Sequence, residues 1–451
     1  MTGFSFKKIE KINSLWVSLI LAICIAMLSC ESDDELVTGP PLEELDSAMV
    51  DELLKVGLPI IRIETVNGVV PSYELADPPE GCWGGSIKNA TKVPGRLVKY
   101  VGKKVVYNSG EYFEKQEGIT IKVRGNWSAR RPQKPYKIKL QSKADLLNRR
   151  DKRFEDKDWL LIPFFNLNSS IGLKVNEIMD LQWTPQLEFV NLVINGEYQG
   201  LYMLMESVER NSDCRLDVDK KTGYIVELDA YWWNEDKYVN ASFDEPLNYT
   251  FKYPDDDDLT QDKLDYIQNV VSEAEQSTRD GSYENRIDVE SFARWMLAHD
   301  ILGNSDGAGS NMFFTKYDDS EMSLLKMGCL WDFDVIMESE GWDEIHDRYY
   351  FKGLFASTNR SFANRYVGLW TEKKDFIFSR LEQSFDDYLS SDLCRFVDAS
   401  IEMNNRRWRA EFGDIPSSAT LIDKARVYFN KRKEWLNDNI NEIGKTHPSY
   451  P

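Results

Sequence analysis

Two short stretches of the chain carry side chains that are suited to chemistry. "NSDGAGSNMFF" places Asp306 five residues before Asn311, and "CLWDFDVIME" contains Asp332 and Asp334. Carboxylate and amide oxygens are ligands for hard divalent cations, and a carboxylate also accepts protons. The first stretch also fits an ordinary turn, because Asp and Asn bond nearby backbone and glycine tolerates positive φ. The second also fits a buried strand with exposed aspartates, since alternate residues share one face.

The spacing of these groups matches that used for phosphoryl transfer. In protein kinases the Asp of a D-x-x-x-x-N loop receives the proton of the substrate hydroxyl, the Asn binds a metal ion, and a later Asp at a strand end binds Mg²⁺. Asp306 and Asn311 reproduce that spacing, and Asp332 follows 26 residues after Asp306 (332 − 306). The reaction needs such a set because cations must neutralise the phosphate charge. The H-R and D-F-G motifs are missing from the sequence, which excludes an ordinary protein kinase.

The secondary-structure elements that must position these residues are predicted to be mainly strands in the first half of the chain and mainly helices in the second. Strand-like runs dominate residues 57–210, with one helix-like interruption, "SSIGLKVNEIMDL". Residues 211–451 are mostly helix-like and include "VESFARWMLAHDIL" directly before the Asp306 loop, with strand-like pieces at "NMFFTKYD" and "LLKMGCLWDFD". We therefore predict an α+β, bilobal fold with a β-rich N-lobe, a mostly helical C-lobe and a ligand cleft between them.

Composition and charge argue against several other functions. The chain has 451 residues, 42% hydrophobic and 12% aromatic, which is enough for a large core. Its net charge of −20 argues against a nucleic-acid partner, because phosphate backbones are bound by basic surfaces. The three histidines form no H-E-x-x-H motif and the six cysteines form no C-x-x-C pair, so a histidine-ligated catalytic metal or a Ser-His-Asp triad is poorly supported. Any metal ion is expected to have oxygen ligands.

The N-terminus has the features of an export signal. Three lysines precede an apolar run over residues 15–28, which is too short for an ordinary spanning helix and fits a signal peptide. Cys30 follows closely and resembles a bacterial lipobox cysteine, so residues 1–30 are predicted to be a lipoprotein signal peptide with Cys30 as the lipidated residue. A simple secretory peptide is the alternative. Residues 31–56 are predicted to be an acidic tether that ends in a short helix.

The acidic "ESDDE" after the cysteine bears on location. It resembles the export tag of surface lipoproteins in Bacteroidetes-type bacteria. We therefore expect the chain to be held in the outer membrane by its lipid anchor and exposed at the cell surface.

Six motifs follow one another along the chain: "RGNWSARRPQKPYKIKL", "KDWLLIPFF", "NGEYQGLYMLMESVE", "GYIVELD", "NSDGAGSNMFF" and "WDFD". In this order they resemble the CotH (spore coat protein H) kinase family, and the similarity covers roughly residues 57–440. The resemblance implies an atypical protein-kinase-like fold that binds ATP with Mg²⁺ or Mn²⁺. It also implies that the protein phosphorylates Ser or Thr of secreted or surface proteins.

The resemblance assigns roles to the residues of the two short stretches. Asp306 looks like the catalytic base. Asn311 and Asp332 look like metal ligands, and Asp334 is the alternative to Asp332.

The resemblance also implies a nucleotide site on the strand-rich half. Lys134 and Lys139, in the basic strand "QKPYKIKL", are both candidates for the lysine that pairs with phosphate, and Lys134 is favoured by its place in the K-P-Y pattern. Arg124 and Asn126 are expected to line the nucleotide cleft in place of the absent G-x-G-x-x-G loop, and Glu206 is expected where a hinge strand meets adenine. Without the family, the basic residues fit a solvated strand face and Glu206 fits a surface position at a strand end.

One departure from the family pattern bears on activity. The helix after "LLIPFF" lacks the family's Arg-Asn pair, and Lys174 or Glu177 is expected to replace its contact. We predict a surface lipoprotein that transfers the γ-phosphoryl group of ATP to Ser or Thr of an extracytoplasmic protein. The alternative is a non-catalytic pseudokinase that acts as an adhesin or as a glycan- or protein-binding lipoprotein.

Overall fold

Alternating apolar residues build much of the first half of the chain into strands, as their period of two predicts. The predicted signal peptide, the lipidation site Cys30 and the first residues of the acidic segment lie outside the described residues. The computed structural model describes residues 37–82, 84–242, 246–307, 309–342 and 344–443.

Within those ranges, strands lie mainly in the first half and helices mainly in the second. The strands are β1 (Ile60–Thr65), β2 (Glu74–Ala76), β3 (Ser86–Lys88), β4 (Val93–Val101), β5 (Lys104–Asn108), β6 (Ile119–Val123), β7 (Tyr136–Ala144), β8 (Asp156–Pro163), β9 (Leu187–Ile194), β10 (Glu197–Glu206), β11 (Tyr224–Leu228), β12 (Tyr238–Ser242), β13 (Pro246–Tyr253), β14 (Met312–Lys316) and β15 (Leu325–Met327). The helices are α1 (Ser47–Val56), α2 (Asn168–Ile178), α3 (Gln261–Asp280), α4 (Val289–Leu302), α5 (Tyr349–Ala356), α6 (Ser361–Leu389), α7 (Asp392–Phe412) and α8 (Ser418–Asn439).

Eight strands of the first half form one sheet, in the order β1-β9-β10-β8-β7-β6-β4-β5. A further antiparallel pairing of β1 with β4 closes this sheet on itself. Closure satisfies backbone groups of both strands that an open edge would leave unpaired. Alternate residues fill the interior as an apolar inner core that includes Ile61, Ile63, Leu97, Ile121, Ile138, Trp159, Leu192 and Leu204.

The outer face of the closed sheet is apolar in one part and basic in another. On β8 and β10, Leu160 and Met205 belong to the main core, which also contains residues of helix α2. On β7 and β6, the same face carries charges, because Lys137 lies opposite Leu160 and Lys122 lies opposite Lys137. Arg124 follows two residues after Lys122 and continues this row. We call Lys122, Arg124 and Lys137 the basic strip.

The second half contains a second sheet, in the order β12-β13-β11-β14-β15. One face packs in the main core with helices α3, α4 and α5. The other face carries Ile225 and Phe313, which pack with Val208 from just beyond the end of β10. The second sheet therefore has an apolar contact with the segment that follows β10, close to the start of β14, where the Asp306 loop ends.

The mixed α+β composition predicted from the sequence is confirmed. The helix-like run before the Asp306 loop is α4, with the predicted bounds. The prediction that residues 211–451 are mostly helical missed β12 and β13. Residues 40–451 form one compact unit, and a division into two lobes near residue 210 stays a prediction. Among the helices of the described ranges, none is both long and apolar enough to cross a membrane.

The acidic segment before the first strand is not a free tether over its whole length. The carboxylate of Asp46 accepts the N–H of Met49 at 2.9 Å and caps α1, which ends at Gly57 in the left-handed conformation. Val50 and Leu53 are buried in the main core. The predicted short helix is present, but the tether prediction is wrong for α1 because its apolar side is buried.

Candidate functional site

The side chain of one buried asparagine forms hydrogen bonds with both stretches that were expected to form the site. Asn304 follows the glycine that ends α4. Its Oδ1 accepts the backbone N–H of Asp306 at 3.2 Å, and its Nδ2 donates to the carbonyl oxygen of Asp332 at 3.0 Å. Sequence reasoning missed this role, although Asn304 opens the quoted motif. An Asn at the end of a helix and directly before an acidic turn was the available signal.

The side chains of Asn311 and Asp332 meet directly. Nδ2 of Asn311 lies 3.3 Å from Oδ2 of Asp332, across 21 residues of sequence. Both residues have a left-handed backbone, with φ of 61° and 56° respectively. Asn and Asp adopt this conformation more readily than most residues. The backbone N–H of Asp334 also points at Oδ1 of Asp332, at 3.5 Å. The structure therefore brings the two favoured metal-ligand candidates together.

The three aspartates of the two stretches influence one another electrostatically. Burial, together with the negative charges of Asp334 and Asp306, raises the pKa of Asp332 to about 6. Asp306 and Asp334 are exposed, whereas Asp332 is half-buried. A divalent cation at this point would offset the concentrated negative charge.

The available donor atoms suit a metal ion that takes part of its coordination shell from elsewhere. Within the described part of the chain, no group of three or more His, Cys, Asp and Glu side chains is arranged to hold a metal ion. Asp332 and Asn311 offer one carboxylate and one carboxamide, and Asp334 adds a carboxylate at the exposed edge. Mg²⁺ commonly binds through one or two carboxylates and completes its shell with water and substrate phosphates. The donor set therefore fits Mg²⁺ or Mn²⁺ whose remaining ligands are water or phosphate oxygens.

Helix α2 holds the segment that carries Asp332. The buried side chain of Asn176 accepts the backbone N–H of Leu330 at 2.7 Å. At the first residue of the helix, Asn168 donates through Nδ2 to the carbonyl oxygen of Asp334 at 3.2 Å. These two hydrogen bonds hold the chain on both sides of Asp332.

A glycine in the same helix makes room for the site. Gly172 lies against the ring of Phe333, and a Cβ added to the glycine would stand 2.0 Å from Cδ1 of that ring. Lys174 and Glu177, which were expected to replace a family contact of this helix, form an ion pair with each other at 2.9 Å. The contacts between α2 and the site come instead from its asparagines and its glycine.

A buried histidine lies beneath the Asp306 loop. The ring of His299 is 3.9 Å from that of Trp295, measured between centroids. A Cβ added to Gly307 would stand 2.3 Å from both Cε1 and Nδ1 of His299. Burial lowers the pKa of His299 to about 3, so the ring is neutral near pH 7. The turn at Gly307 therefore rests on a neutral aromatic surface.

Arg124 is a predicted nucleotide-site residue whose charge interacts with the carboxylates of the site. Burial lowers the pKa of Arg124, and the negative charges of Asp332 and Glu227 oppose that shift. Asn126 accepts a hydrogen bond from the hydroxyl of Ser86 in β3. Arg124 thus belongs with the Asp332 site, whereas the oxygen of Asn126 is engaged with the neighbouring short strand.

The favoured phosphate lysine, Lys134, is directed to another part of the molecule. Its Nζ donates to the hydroxyl of Tyr73 at 2.6 Å and to the carbonyl oxygen of Ala129 at 3.0 Å. It lies two residues before Tyr136, which points into the inner core of the closed sheet. Because Tyr73 packs against the same inner core, Lys134 is on the inner-core side rather than on the face of the basic strip. The contacts of Lys134 therefore do not support its assignment to phosphate.

Lys139, the second candidate, is on the correct face but farther along the strand. It is exposed and lies opposite Asp158 of β8. Arg124 lies opposite Pro135, to whose carbonyl oxygen it donates its backbone N–H at 3.1 Å. Four residues of strand separate position 135 from Lys139, a distance of about 13 Å.

Lys122 is the lysine of the basic strip next to Arg124, and sequence reasoning missed it. Burial lowers the pKa of Lys122, and the positive charge of Lys137 lowers it further. Lys137 itself lies 2.8 Å from Glu209 and 3.1 Å from Asp158, measured from Nζ to the carboxylate oxygens. The alternation of "ITIKV" was the available signal, because it places Lys122 and the apolar residues on opposite faces.

Glu206 ends β10 as predicted, but it is fully buried. Its carboxylate lies 2.8 Å from Nη1 of Arg149 and accepts the backbone N–H of Gln186 at 3.0 Å. Burial raises the pKa of Glu206, and the positive charge of Arg149 opposes that shift. The reading of Glu206 as a surface residue is therefore wrong, and its role beside adenine stays a prediction.

The protein has a mixed α+β fold. At its candidate site the carboxylate of Asp332 and the carboxamide of Asn311 meet beside the basic strip. The family model described as CotH kinase protein matches residues 121–405, which is more than half of the chain. The chain belongs to the CotH kinase family, and the resemblance seen in its motifs is confirmed.

Two further comparisons add little to this assignment. In sequence, no curated protein matches the chain. Among solved structures, the complex of HipA, HipB and operator DNA from the toxin–antitoxin system of Shewanella oneidensis MR-1 is similar over 84% of this chain and 75% of that chain, with 12% sequence identity and a TM-score of 0.29. A similarity of this size carries no argument about fold or function.

Proposed function

We propose that this protein is a kinase that uses ATP with Mg²⁺ or Mn²⁺ to phosphorylate Ser or Thr of an extracytoplasmic protein. The observation that carries the proposal is the contact between Asn311 and Asp332 at 3.3 Å, within electrostatic reach of Asp306. Membership of the CotH kinase family supports the same activity. The kinase-like spacing of Asp306 and Asn311 agrees with it.

Asp332 and Asn311 are the residues that would hold the metal ion. A bound Mg²⁺ or Mn²⁺ supplies positive charge to the β- and γ-phosphates. Asp334 lies at the exposed edge, where its carboxylate is 3.9 Å from Nη1 of Arg131. We assign Asp334 a secondary role, because this weak ion pair and its exposure leave it less fixed than Asp332.

Asp306 is the proposed catalytic base. Its exposed carboxylate accepts the proton of the Ser or Thr hydroxyl while the hydroxyl oxygen forms a bond to the γ-phosphorus. The bond from the γ-phosphorus to the bridging oxygen breaks in the same step, and ADP leaves. The hydrogen bond from the backbone of Asp306 to Asn304 fixes the base relative to Asp332.

The basic strip is the proposed binding surface for the nucleotide phosphates. Arg124 is the member that interacts most directly with Asp332, and Lys122 lies beside it on the same face. In this proposal the closed sheet and the second half of the chain act as two lobes, and the nucleotide lies in the cleft between them.

The location of the protein is proposed from its sequence. Cys30 would carry the lipid anchor that holds the chain in the outer membrane, with the substrate protein at the cell surface. Growth with an alkyne fatty acid tests this point. Label should appear on the wild-type chain and be lost in Cys30→Ser, and label that persists in Cys30→Ser would contradict the anchor.

Calorimetric titration tests the kinase proposal most directly. The mature protein is titrated with a non-hydrolysable ATP analogue in the presence of Mg²⁺, Mn²⁺ or EDTA, alongside Asp332→Ala and Asp306→Ala. We expect metal-dependent binding that is lost in Asp332→Ala and retained in Asp306→Ala, because Asp332 is a proposed metal ligand and Asp306 is not. If the folded wild-type protein binds no analogue with either metal, the protein is a pseudokinase scaffold and the proposal fails.

A further inference from the structure

A tyrosine with an unusual backbone conformation faces the loop that contains the proposed base and a proposed metal ligand. Tyr349 is the first residue of α5, yet its φ is 49°. A helical residue normally has a φ of about −63°, and a bulky residue rarely adopts the left-handed region. Such a conformation is unfavourable and persists only where the surrounding structure enforces it. The backbone of Tyr349 is therefore strained.

The side chain of Tyr349 contacts the loop at Gly309. A Cβ added to Gly309 would stand 2.2 Å from Oη of Tyr349 and 3.1 Å from its Cζ. Gly309 also has a φ of 84°, which glycine adopts at no steric cost. It follows Asp306 by three residues and precedes Asn311 by two. The phenol group thus packs closely on the loop at a point between the proposed base and a proposed metal ligand.

The residues that follow Tyr349 anchor the start of α5 in the main core. The hydroxyl of Tyr350, which is fully buried, lies 2.9 Å from that of Tyr249 in β13. The ring of Phe351 stacks on that of Trp295 in α4, with 5.5 Å between the centroids and 5° between the planes. These contacts fix the backbone next to Tyr349, and so they explain how its strained conformation persists.

Strained backbone positions are concentrated around the site. Asn311 and Asp332, the proposed metal ligands, have φ of 61° and 56°, and Met337 has a φ of 66°. In the part of the chain that the structure describes, every other non-glycine residue with positive φ apart from Tyr349 lies at or before residue 195. Strain of this kind clusters at active sites, where it holds groups ready for reaction. The place of Tyr349 in this group points to a role in the site.

We propose that Tyr349 is a positioning residue that holds Gly309 in place and thereby orients Asn311 towards Asp332 for metal binding. The side chains of Asn311 and Asp332 lie 3.3 Å apart, so a small displacement of the loop would separate the two donor groups. This inference rests on the proposed function for the identity of the ligand. A tyrosine that served packing alone would contribute to stability and leave the metal affinity of the folded protein unchanged.

A double-mutant cycle on Gly309→Ala and Tyr349→Phe tests this contact. Gly309→Ala places a methyl group against Oη of Tyr349, and Tyr349→Phe removes that oxygen while keeping the ring. The backbone strain of alanine at position 309 is the same in both backgrounds, so the cycle cancels it. Two quantities are measured for each variant: the dissociation constant for Mn²⁺ alone, and the hydrogen-exchange rate of the amide at position 309 in metal-free protein. Thermal melting shows which variants are folded.

Gly196→Ala is the matched control. Gly196 lies in the turn between β9 and β10 with a φ of 82°, and an added Cβ would have no neighbour within 4 Å. Its substitution should lower the melting temperature through backbone strain and leave Mn²⁺ affinity at the wild-type value. The control thus separates a general loss of stability from an effect on the site.

A positioning role predicts coupling between the two residues. Gly309→Ala alone should lower Mn²⁺ affinity by at least about tenfold, as for other residues that orient metal ligands, and the amide at position 309 should exchange faster. In the Tyr349→Phe background the loss should be smaller by at least about threefold, as for residues in contact, because the overlapping oxygen is absent. Should Gly309→Ala not fold, Tyr349→Leu replaces it. Leucine removes the phenol group and leaves the glycine intact, and the same loss of affinity and faster exchange are expected.

The inference and the proposed function can fail separately. Wild-type Mn²⁺ affinity in folded Gly309→Ala, or an equal loss of affinity in both backgrounds, would overturn the positioning role. If the wild-type protein binds no Mn²⁺ and no nucleotide analogue, the proposed function fails. The metal-free exchange rates still decide in that case whether Tyr349 holds Gly309.

Discussion

Gly172 lies so close to Phe333 that the helix has no room for a larger residue. A Cβ at position 172 would stand 2.0 Å from Cδ1 of the ring. Phe333 lies between Asp332 and Asp334, and its ring is buried in the main core. A helix residue far from the Asp306 loop in sequence thus sets the position of the two aspartates.

Gly172→Ala should displace Phe333 and with it Asp332. Overfilling a packed core costs about 1–3 kcal/mol of unfolding free energy. A shift of the reacting groups by about 1 Å can lower the rate about 100-fold. Denaturant unfolding and a phosphoryl-transfer assay measure the two effects.

Gly368→Ala is the matched control, because Gly368 lies in α6 and an added Cβ would have no neighbour closer than 3.8 Å. Helix propensity alone should make Gly368→Ala more stable than wild type by about 0.5–1 kcal/mol. An equal gain in Gly172→Ala would show that Phe333 yields freely and does not hold the aspartates.

His299 should make the stability of the protein depend on pH. Its pKa is about 3 in the folded protein and about 6.5 in an unfolded chain, because burial disfavours the charged ring. Between these values the unfolded state binds the extra proton, so this contribution to stability is lost as pH falls below about 6.5. The loss should approach ~1.4 kcal/mol per pH unit.

Unfolding free energies of wild type and His299→Gln between pH 7 and pH 4 test this point. The wild-type curve should fall more steeply, because glutamine does not titrate. Parallel curves would mean that the ring does not remain neutral and buried in the native state.

Lys122 and Lys134 should differ in what they do for nucleotide binding. Lys122→Met should weaken binding of the ATP analogue by about tenfold or more, because a hydrogen bond to a charged group contributes about 1.5–3 kcal/mol. Lys134→Met should leave affinity close to wild type and lower the melting temperature, since Lys134 bonds Tyr73 and Ala129. Calorimetry measures the nucleotide affinity of both variants, and thermal melting measures their stability. Lys139→Met is the control for the general effect of removing a positive charge. A larger affinity loss in Lys134→Met than in Lys122→Met would restore the motif-based assignment.

The lysine question shows what sequence patterns can decide. The pattern predicted that "KPYKIKLQ" is a strand, and β7 confirms it. Choosing between Lys134 and its neighbours requires knowing which face of the strand is buried, and a shift of one residue exchanges the faces. The K-P-Y motif does not show on which face Lys134 lies. Lys134 stands just outside β7, and the alternation that distinguishes the two faces applies within the strand.

The contact between Asn311 and Asp332 could be predicted from the sequence, because phosphoryl transfer requires both residue types at a known spacing. The contacts that support these two residues could not be predicted. Asn176 and Asn304 act through backbone groups of residues that are distant in sequence, and asparagine has many uses in proteins.

Asp300 is a buried acid that joins three helices of the second half. Its carboxylate accepts the hydroxyl of Tyr366 at 2.6 Å and lies 2.9 Å from Nε2 of His346. Nη2 of Arg432, which is 2% exposed, lies 3.6 Å away. Because the acid and the arginine are both buried, the negative charge of Asp300 offsets a positive charge that water cannot solvate.

Asp300→Asn should destabilise the fold by about 3–5 kcal/mol, because it keeps the shape of the side chain and leaves Arg432 buried without its counter-charge. The matched control is Asp375→Asn, in which the ion pair with Lys433 is shorter, at 2.8 Å, but the aspartate side chain is 82% exposed. That change should stay within about 0.5 kcal/mol, because solvent screens an exposed pair. Denaturant unfolding measures both variants. Equal small losses would mean that the carbonyl contacts of Arg432, including the one to Gly341 at 2.8 Å, already satisfy its charge.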